Sequence, residues 1–279
     1  MTRRNRTIFR VIGVVSLAAL SIIYLLPILI VLMNSFKSNI FVTSEPFTPP
    51  SSDTFIGLAN YDTGINEIGI LKAAGYSLFI TVFSVAAIVF ITSMAAWFIT
   101  RVKAWYTTVL YFAFVFSMIV PFQMVMYSMS KVANMTHLDN PVGIIVLYLG
   151  FGAGLSIFIF AGFVKSVPLE LEEAAVIDGC NPWQVYWHVI FPVLRPVAVT
   201  VAILNTMWIW NDYLLPYLTI GTDYRTIPIA VQYLQGGYGS VDWGAMMAVL
   251  VLAMLPIIVF YLAAQRHIIK GVTAGAVKG

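Results

Sequence analysis

Six intervals of this chain are almost free of charge, and they limit the possible fold more than any single motif does. Residues 11–36, 73–100, 104–130, 140–164 and 243–265 contain no Asp, Glu, Lys, Arg or His, and residues 196–222 contain only Asp212. A helix needs roughly 20 consecutive apolar residues to cross a bilayer, and each interval is that long. Strands of a membrane barrel need only about 9–11 residues and alternate in polarity, so a barrel does not fit. Over all 279 residues, 60% are apolar and 10% charged, against about 25% charged in a soluble domain. The mean hydropathy is +0.90. There is too little charge to cover a soluble globule, and the chain is far too apolar to be disordered. The expectation is an all-α membrane protein. It has six transmembrane helices, at about 11–36, 73–100, 104–130, 140–164, 196–220 and 243–265, in one transmembrane domain over 1–279.

The few charges predict an orientation. An even number of spans puts both termini on one side. On that side fall Arg3, Arg4, Arg6, Arg10, Arg101, Lys103, Lys165, Arg195, Arg266, Lys270 and Lys278; on the other fall Lys37, Lys72, Lys131 and Arg225. Basic loops stay in the cytoplasm, so this bias predicts cytoplasmic termini. The apolar stretch after Arg10 is too long for a signal-peptide core and reads as a retained first helix. The net charge is +3, with no basic face suited to nucleic acid. The single cysteine, Cys180, excludes an internal disulfide. Residues 37–72 and 220–242 are the outer loops. Residues 165–195 are the one long cytoplasmic loop.

That cytoplasmic loop reads as two short helices around a turn. Pro168 suits a first helical position, where a missing N–H costs nothing. Glu170, Glu172 and Glu173 then sit where the helix dipole favours negative charge. Small residues at Ala174 and Ala175 would let a partner surface approach closely. Gly179 suits the left-handed cap that ends such a helix. Asn181 can cap a second helix with Pro182 at its first position, and Pro192 and Pro196 mark the return to the membrane.

Glu173-Ala174-Ala175, then Gly179, then Val189 and Phe191-Pro192 resemble, in full spacing, the EAA loop of ABC importer permeases. Val189 and Phe191 replace the family's Ile and Leu with other apolar residues. Trp210-Asn211-Asp212 is similar to a pattern of the carbohydrate-uptake branch. The terminal run Gly271 to Gly279 resembles the tail of that branch's maltose-permease-type second subunit. The resemblance implies a type I ABC importer transmembrane domain in a bacterial or archaeal cell membrane. Its partners would be a second homologous permease, two cytoplasmic ABC ATPases, an extracytoplasmic sugar-binding protein (lipid-anchored or periplasmic) and a sugar of di- or oligosaccharide size. ATP and Mg2+ would bind the ATPases, and this chain would hold no cofactor.

By the same resemblance, Glu173, Ala174, Ala175, Asp178, Gly179, Val189, Phe191 and Pro192 would couple to the ATPase. The tail from Thr273 to Gly279, with Ala274 and Gly275, would reach the interface between the ATPases. Gln235, Gly236, Gly237 and Tyr238 would probe the binding protein. Asn205, Trp210, Asn211 and Asp212 are the candidates for the translocation path. The chain has no Gly-Lys dipeptide, so it lacks a P-loop to cradle phosphates.

Two other functions compete. An ion-coupled secondary transporter would use Asp212, the one ionisable residue within an expected span, but that class predicts internal repeats and paired broken helices. Its position toward the outer end of the span favours a structural or gating role for Asp212. A membrane hydrolase would need a nucleophile–base pair, and no span offers a histidine to its serines. No catalytic or metal site is expected. The aromatics of spans three and five, Phe122, Tyr127, Trp208 and Tyr217 among them, read as packing rather than sugar-stacking groups. Gly150, Gly152 and Gly154 read as close-packing positions, with Gly150 and Gly154 in small-x-x-x-small spacing.

Overall fold

A computed structural model describes residues 3–233 and 241–276, with side chains for 10–232 and 241–266. The described residues are helical, with no β-strand beyond an isolated bridge between Lys37 and Phe55. In order, α1 is Arg3–Asn34, α2 Asn39–Ser44, α3 Ala59–Asp62, α4 Ile70–Arg101, α5 Trp105–Ser117, α6 Phe122–Met135 and α7 Gly143–Val164. Then come α8 Glu170–Ile177, α9 Pro182–Val185, α10 Phe191–Asn211, α11 Leu214–Thr219, α12 Ile227–Tyr233 and α13 Trp243–Ala276. Single π turns follow α3 (Thr63–Glu67) and α9 (Tyr186–Ile190). Among the described residues, five helical stretches are long and apolar enough to cross a membrane, and the bent pair α5–α6, taken as one span, makes a sixth.

Two of the six spans depart from their expected form, and both departures trace to particular residues. The third span is broken: α5 and α6 meet at 105°. Pro121 has no N–H to continue the ladder and disfavours helical backbone at Val120. Before it, the N–H groups of Met118 and Ile119 bond only three residues back, to Val115 O (3.2 Å) and Phe116 O (3.0 Å), the tightened turn of a helix end. The fifth span starts early, at Pro182, and stops at Asn211 rather than 220. Pro192 lies two residues after the π turn, and the wider turn accommodates a residue that cannot donate. Pro192 and Pro196 therefore lie inside a continuous span and do not mark its entry. The span ends because Asp212 turns extended (φ −75°, ψ 123°) and its Oδ1 accepts the Leu214 N–H at 3.0 Å, a side-chain mimic of a backbone turn.

The chain divides into two compact units. One comprises residues 1–71 and 230–256. Its segment between α1 and α4 is folded around polar anchors. Asn60 Nδ2 donates to Ser35 O (2.9 Å) and Lys37 O (2.8 Å). Lys37 is fully buried, and its Nζ donates to Glu45 O at 2.8 Å. Burial pulls the Lys37 pKa below the ordinary lysine value, with the Glu45 carboxylate opposing. The first turn of α13 is fixed here by Asn39 Oδ1, which accepts the Trp243 N–H (2.9 Å), and by Asp242, which caps the Ala245 N–H (3.0 Å).

The other unit comprises residues 72–229 and 257–279. Its core centres on α7, where glycines let neighbours close in. A Cβ on Gly152 would stand 2.7 Å from Ile88 Cδ1 of α4 and 3.0 Å from Asn205 Oδ1 of α10; one on Gly154 would stand 2.6 Å from Phe114 O of α5. Gly150 has nothing within 4 Å. The close-packing positions are thus Gly152 and Gly154, on two sides of α7, rather than the Gly150/Gly154 pair.

Candidate functional site

The long loop builds a two-faced helix. In α8 the inward positions are Glu172 and Ala175, both buried. The outward positions are Glu170, Glu173, Ala174 and Ile177, all exposed, at the i, i+3, i+4, i+7 spacing of one helical stripe. Ile177 is 85% exposed, and Leu171, Val176 and, on α9, Trp183 are exposed beside it. Such a run of exposed large apolar side chains marks an interaction surface.

The end of α8 is a Schellman cap. Gly179 takes φ +87°, its N–H bonds Val176 O (3.0 Å), and the Cys180 N–H bonds Ala175 O (3.0 Å). The next helix starts with a reciprocal capping box: Asn181 Oδ1 accepts the Gln184 N–H and Gln184 Oε1 accepts the Asn181 N–H, both at 2.9 Å. Helix α8 itself begins at Glu170 with Leu169 as its N-cap, so Pro168 lies outside it.

The inward side of the loop is fixed to α4. Arg101 Nε donates to Glu172 Oε1 at 2.7 Å, and Trp97 Nε1 donates to Glu172 Oε2 at 3.0 Å. Arg101 Nη2 also donates to Val167 O at 2.9 Å. Tyr186, in the π turn and fully buried, places its hydroxyl 2.7 Å from Ser93 Oγ. Phe90, Trp187 and Phe191 stack beside it with centroids 5.3–5.6 Å apart.

The expected loop residues therefore fall into two groups. Glu173, Ala174, Asp178 and Gly179 face out. Ala175 is turned in, because it shares a helical face with Glu172. Val189, Phe191 and Pro192 are partly buried around the π turn and the first turn of α10, and Val189 and Phe191 pack against the core. Sequence reasoning missed Glu172, Arg101, Trp97 and Ile177. No sequence signal separates Glu172 from Glu170 and Glu173, since all three have i, i+3 neighbours in the helix.

The residues expected along the path are mostly engaged within the chain. Asn205 is buried and its Nδ2 donates to Val201 O (2.9 Å) and Ser156 Oγ (3.2 Å). Trp210 is buried. Asp212 accepts from the Tyr148 hydroxyl (3.1 Å) as well as capping α11. Asn211 is exposed and donates back to Met207 O. The ion-coupled use of Asp212 gains nothing from this arrangement. Helix α6 also carries Gln123, Tyr127, Lys131 and Asn134 on one exposed stripe, with Tyr127 75% exposed and Asn134 Nδ2 donating to Asp139 Oδ2 at 3.0 Å. Thr273, Ala274 and Gly275 lie in the last turns of α13. Gln235, Gly236, Gly237, Tyr238 and Gly279 lie outside the described residues.

Comparison with known proteins decides the family. Residues 87–274 match the model of the binding-protein-dependent transport system inner membrane component. The chain belongs to that family. It is a transport permease subunit and not an enzyme. A probable starch degradation products transport system permease of Thermoanaerobacterium thermosulfurigenes is 38% identical over 260 residues, 93% of each chain. A multiple sugar-binding transport system permease of Streptococcus mutans is 33% identical over 265 residues, 92% of this chain and 93% of that one. Among solved structures, a chain of a bacterial ABC transporter involved in the import of the acidic polysaccharide alginate shares the fold. The TM-score is 0.79 at 22% identity, over 95% of this permease and 98% of that chain. The match begins within α4 and includes the whole α8–α10 segment.

Proposed function

We propose that this permease forms half of the translocation path of an ATP-driven ABC importer for an oligosaccharide, with α8 as the docking element for a cytoplasmic ATPase. One observation carries the reading: α8 is bolted to α4 on its inner face and presents Glu173, Ala174 and the 85%-exposed Ile177 on its outer one. A short helix with an i, i+3, i+4, i+7 stripe suits a groove on a partner. Both termini are cytoplasmic on this reading, as the eleven basic residues against four require. The sugar class rests on relatives named for starch products and multiple sugars. A second permease completes the path, two ATPases hold ATP and Mg2+, and an extracytoplasmic binding protein delivers the sugar. The exposed polar stripe of α6 faces that path.

The test is co-purification. The Ile177→Arg and Glu173→Lys variants are expected to insert and to assemble with the second permease while losing the ATPase and sugar uptake. ATPase retention with normal uptake in both would overturn the docking role.

A further inference from the structure

The loop is held by a ladder on α4. Ser93, Trp97 and Arg101 follow one another at i, i+4 and i+8, so they lie on one stripe, about 12 Å long at about 1.5 Å per residue. Each rung holds a different part of the loop. Arg101 and Trp97 share the two oxygens of Glu172 in α8. Arg101 also takes Val167 O, just past the end of α7. Ser93 meets Tyr186 in the π turn, and Phe90 extends the stripe with stacking against Trp187 and Phe191. The contacts are sheltered: Glu172 is 8% exposed and Ser93 and Tyr186 not at all. Each Glu172 oxygen takes one donor, so a buried charge is both paired and hydrogen-bonded.

In sequence the loop is continuous only with α7 and α10, so a push on α8 would reach α4 last. The ladder reverses that order. We propose that the Ser93–Trp97–Arg101 face of α4 is a drive surface. Through Glu172 and Tyr186 it makes α4 and α8 one rigid body, so that ATPase closure moves α4 directly. Glu172, Arg101, Trp97, Ser93 and Tyr186 are positioning residues that act through α8 and touch neither ATP nor sugar. The proposal rests on the docking role given above.

The test uses the full complex in proteoliposomes with its binding protein. Two quantities are read: ATP hydrolysed per sugar imported, and the spin-label distance between Ile91 on α4 and Leu169 at the N-cap of α8, off the outward stripe. In the wild type the distance is expected to stay the same with and without trapped ATP. The Glu172→Ala variant is expected to keep the ATPase bound and hydrolysing while the ATP-to-sugar ratio rises about tenfold, within the roughly 5–150-fold span of typical coupling energies. Glu172→Gln, which keeps the shape but offers one donor its own NH2, is expected to fall between. Ser93→Ala with Tyr186→Phe supplies an independent break if Glu172→Ala fails to assemble. A wild-type distance that changes on ATP trapping, or a ratio unchanged in complexes that retain the ATPase, overturns the drive surface alone. Failure of the wild-type chain to bind the ATPase overturns the docking role instead.

Discussion

Gly179 shows how much one backbone angle contributes to this loop. Its φ of +87° is a conformation that L side chains rarely adopt, yet nothing lies within 4 Å of a would-be Cβ. The requirement is therefore conformational and not steric. Alanine here should cost about 1–2 kcal/mol, the usual penalty for left-handed backbone with a Cβ. Asparagine, which tolerates that region, should cost less. Proline should cost most, since it fixes φ near −65° and removes the N–H that bonds Val176 O. Uptake is expected to rank Gly179, then Asn, then Ala, then Pro. An Asn variant no better than Ala would show that something other than backbone sets the residue. This position was readable in advance, because a glycine after an eight-residue acidic-headed helix has one common use. Glu172 was not. Three glutamates in four residues look alike in sequence, and only the phase of the helix against α4 separates the one turned inward from those turned outward.

At the scale of elements, charge-free intervals predicted lengths but not straightness. Residues 104–130 sum to a good span whether or not Pro121 breaks them, since hydropathy adds along the chain and ignores backbone direction. The break produces α6, whose exposed Gln123, Tyr127, Lys131 and Asn134 stripe has no counterpart in the sequence-based candidates for the path. Those candidates lie on α10 and at its C-cap, where polar residues in a span signal function. Asn205 and Asp212 instead satisfy partners inside the chain, which a sequence cannot distinguish from lining a path. A polar stripe facing lipid would be costly, so water, a partner or the sugar must meet it. Tyr127 offers a ring face and a hydroxyl, and Gln123 one turn before it offers an amide. Tyr127→Leu combined with Gln123→Leu is expected to slow uptake at least about tenfold, the loss of roughly 1.4 kcal/mol of favourable contact, with assembly and ATPase binding intact. Unchanged uptake in an assembled complex would remove α6 from the path.

For the whole molecule, the proposed docking role demands the orientation that the charge bias predicts, since an ATPase would reach α8 only from the cytoplasm. The protein carries its own reporter. Cys180 is the single cysteine of the sequence, it is partly exposed while packing in part against the core, and it sits one residue past Gly179 at the end of α8. Thiol reagents attack the thiolate, so access and not a second site governs labelling. A membrane-impermeant maleimide is expected to label Cys180 in inverted vesicles stripped of ATPase and to leave it unlabelled in intact cells. Adding back the ATPase should slow labelling in the same inverted vesicles, because the helix would then lie in the partner's groove. Labelling from the outside would reverse the topology and with it the eleven-to-four argument. Cytoplasmic labelling that the ATPase does not slow would keep the topology and move the docking surface away from the α8 cap.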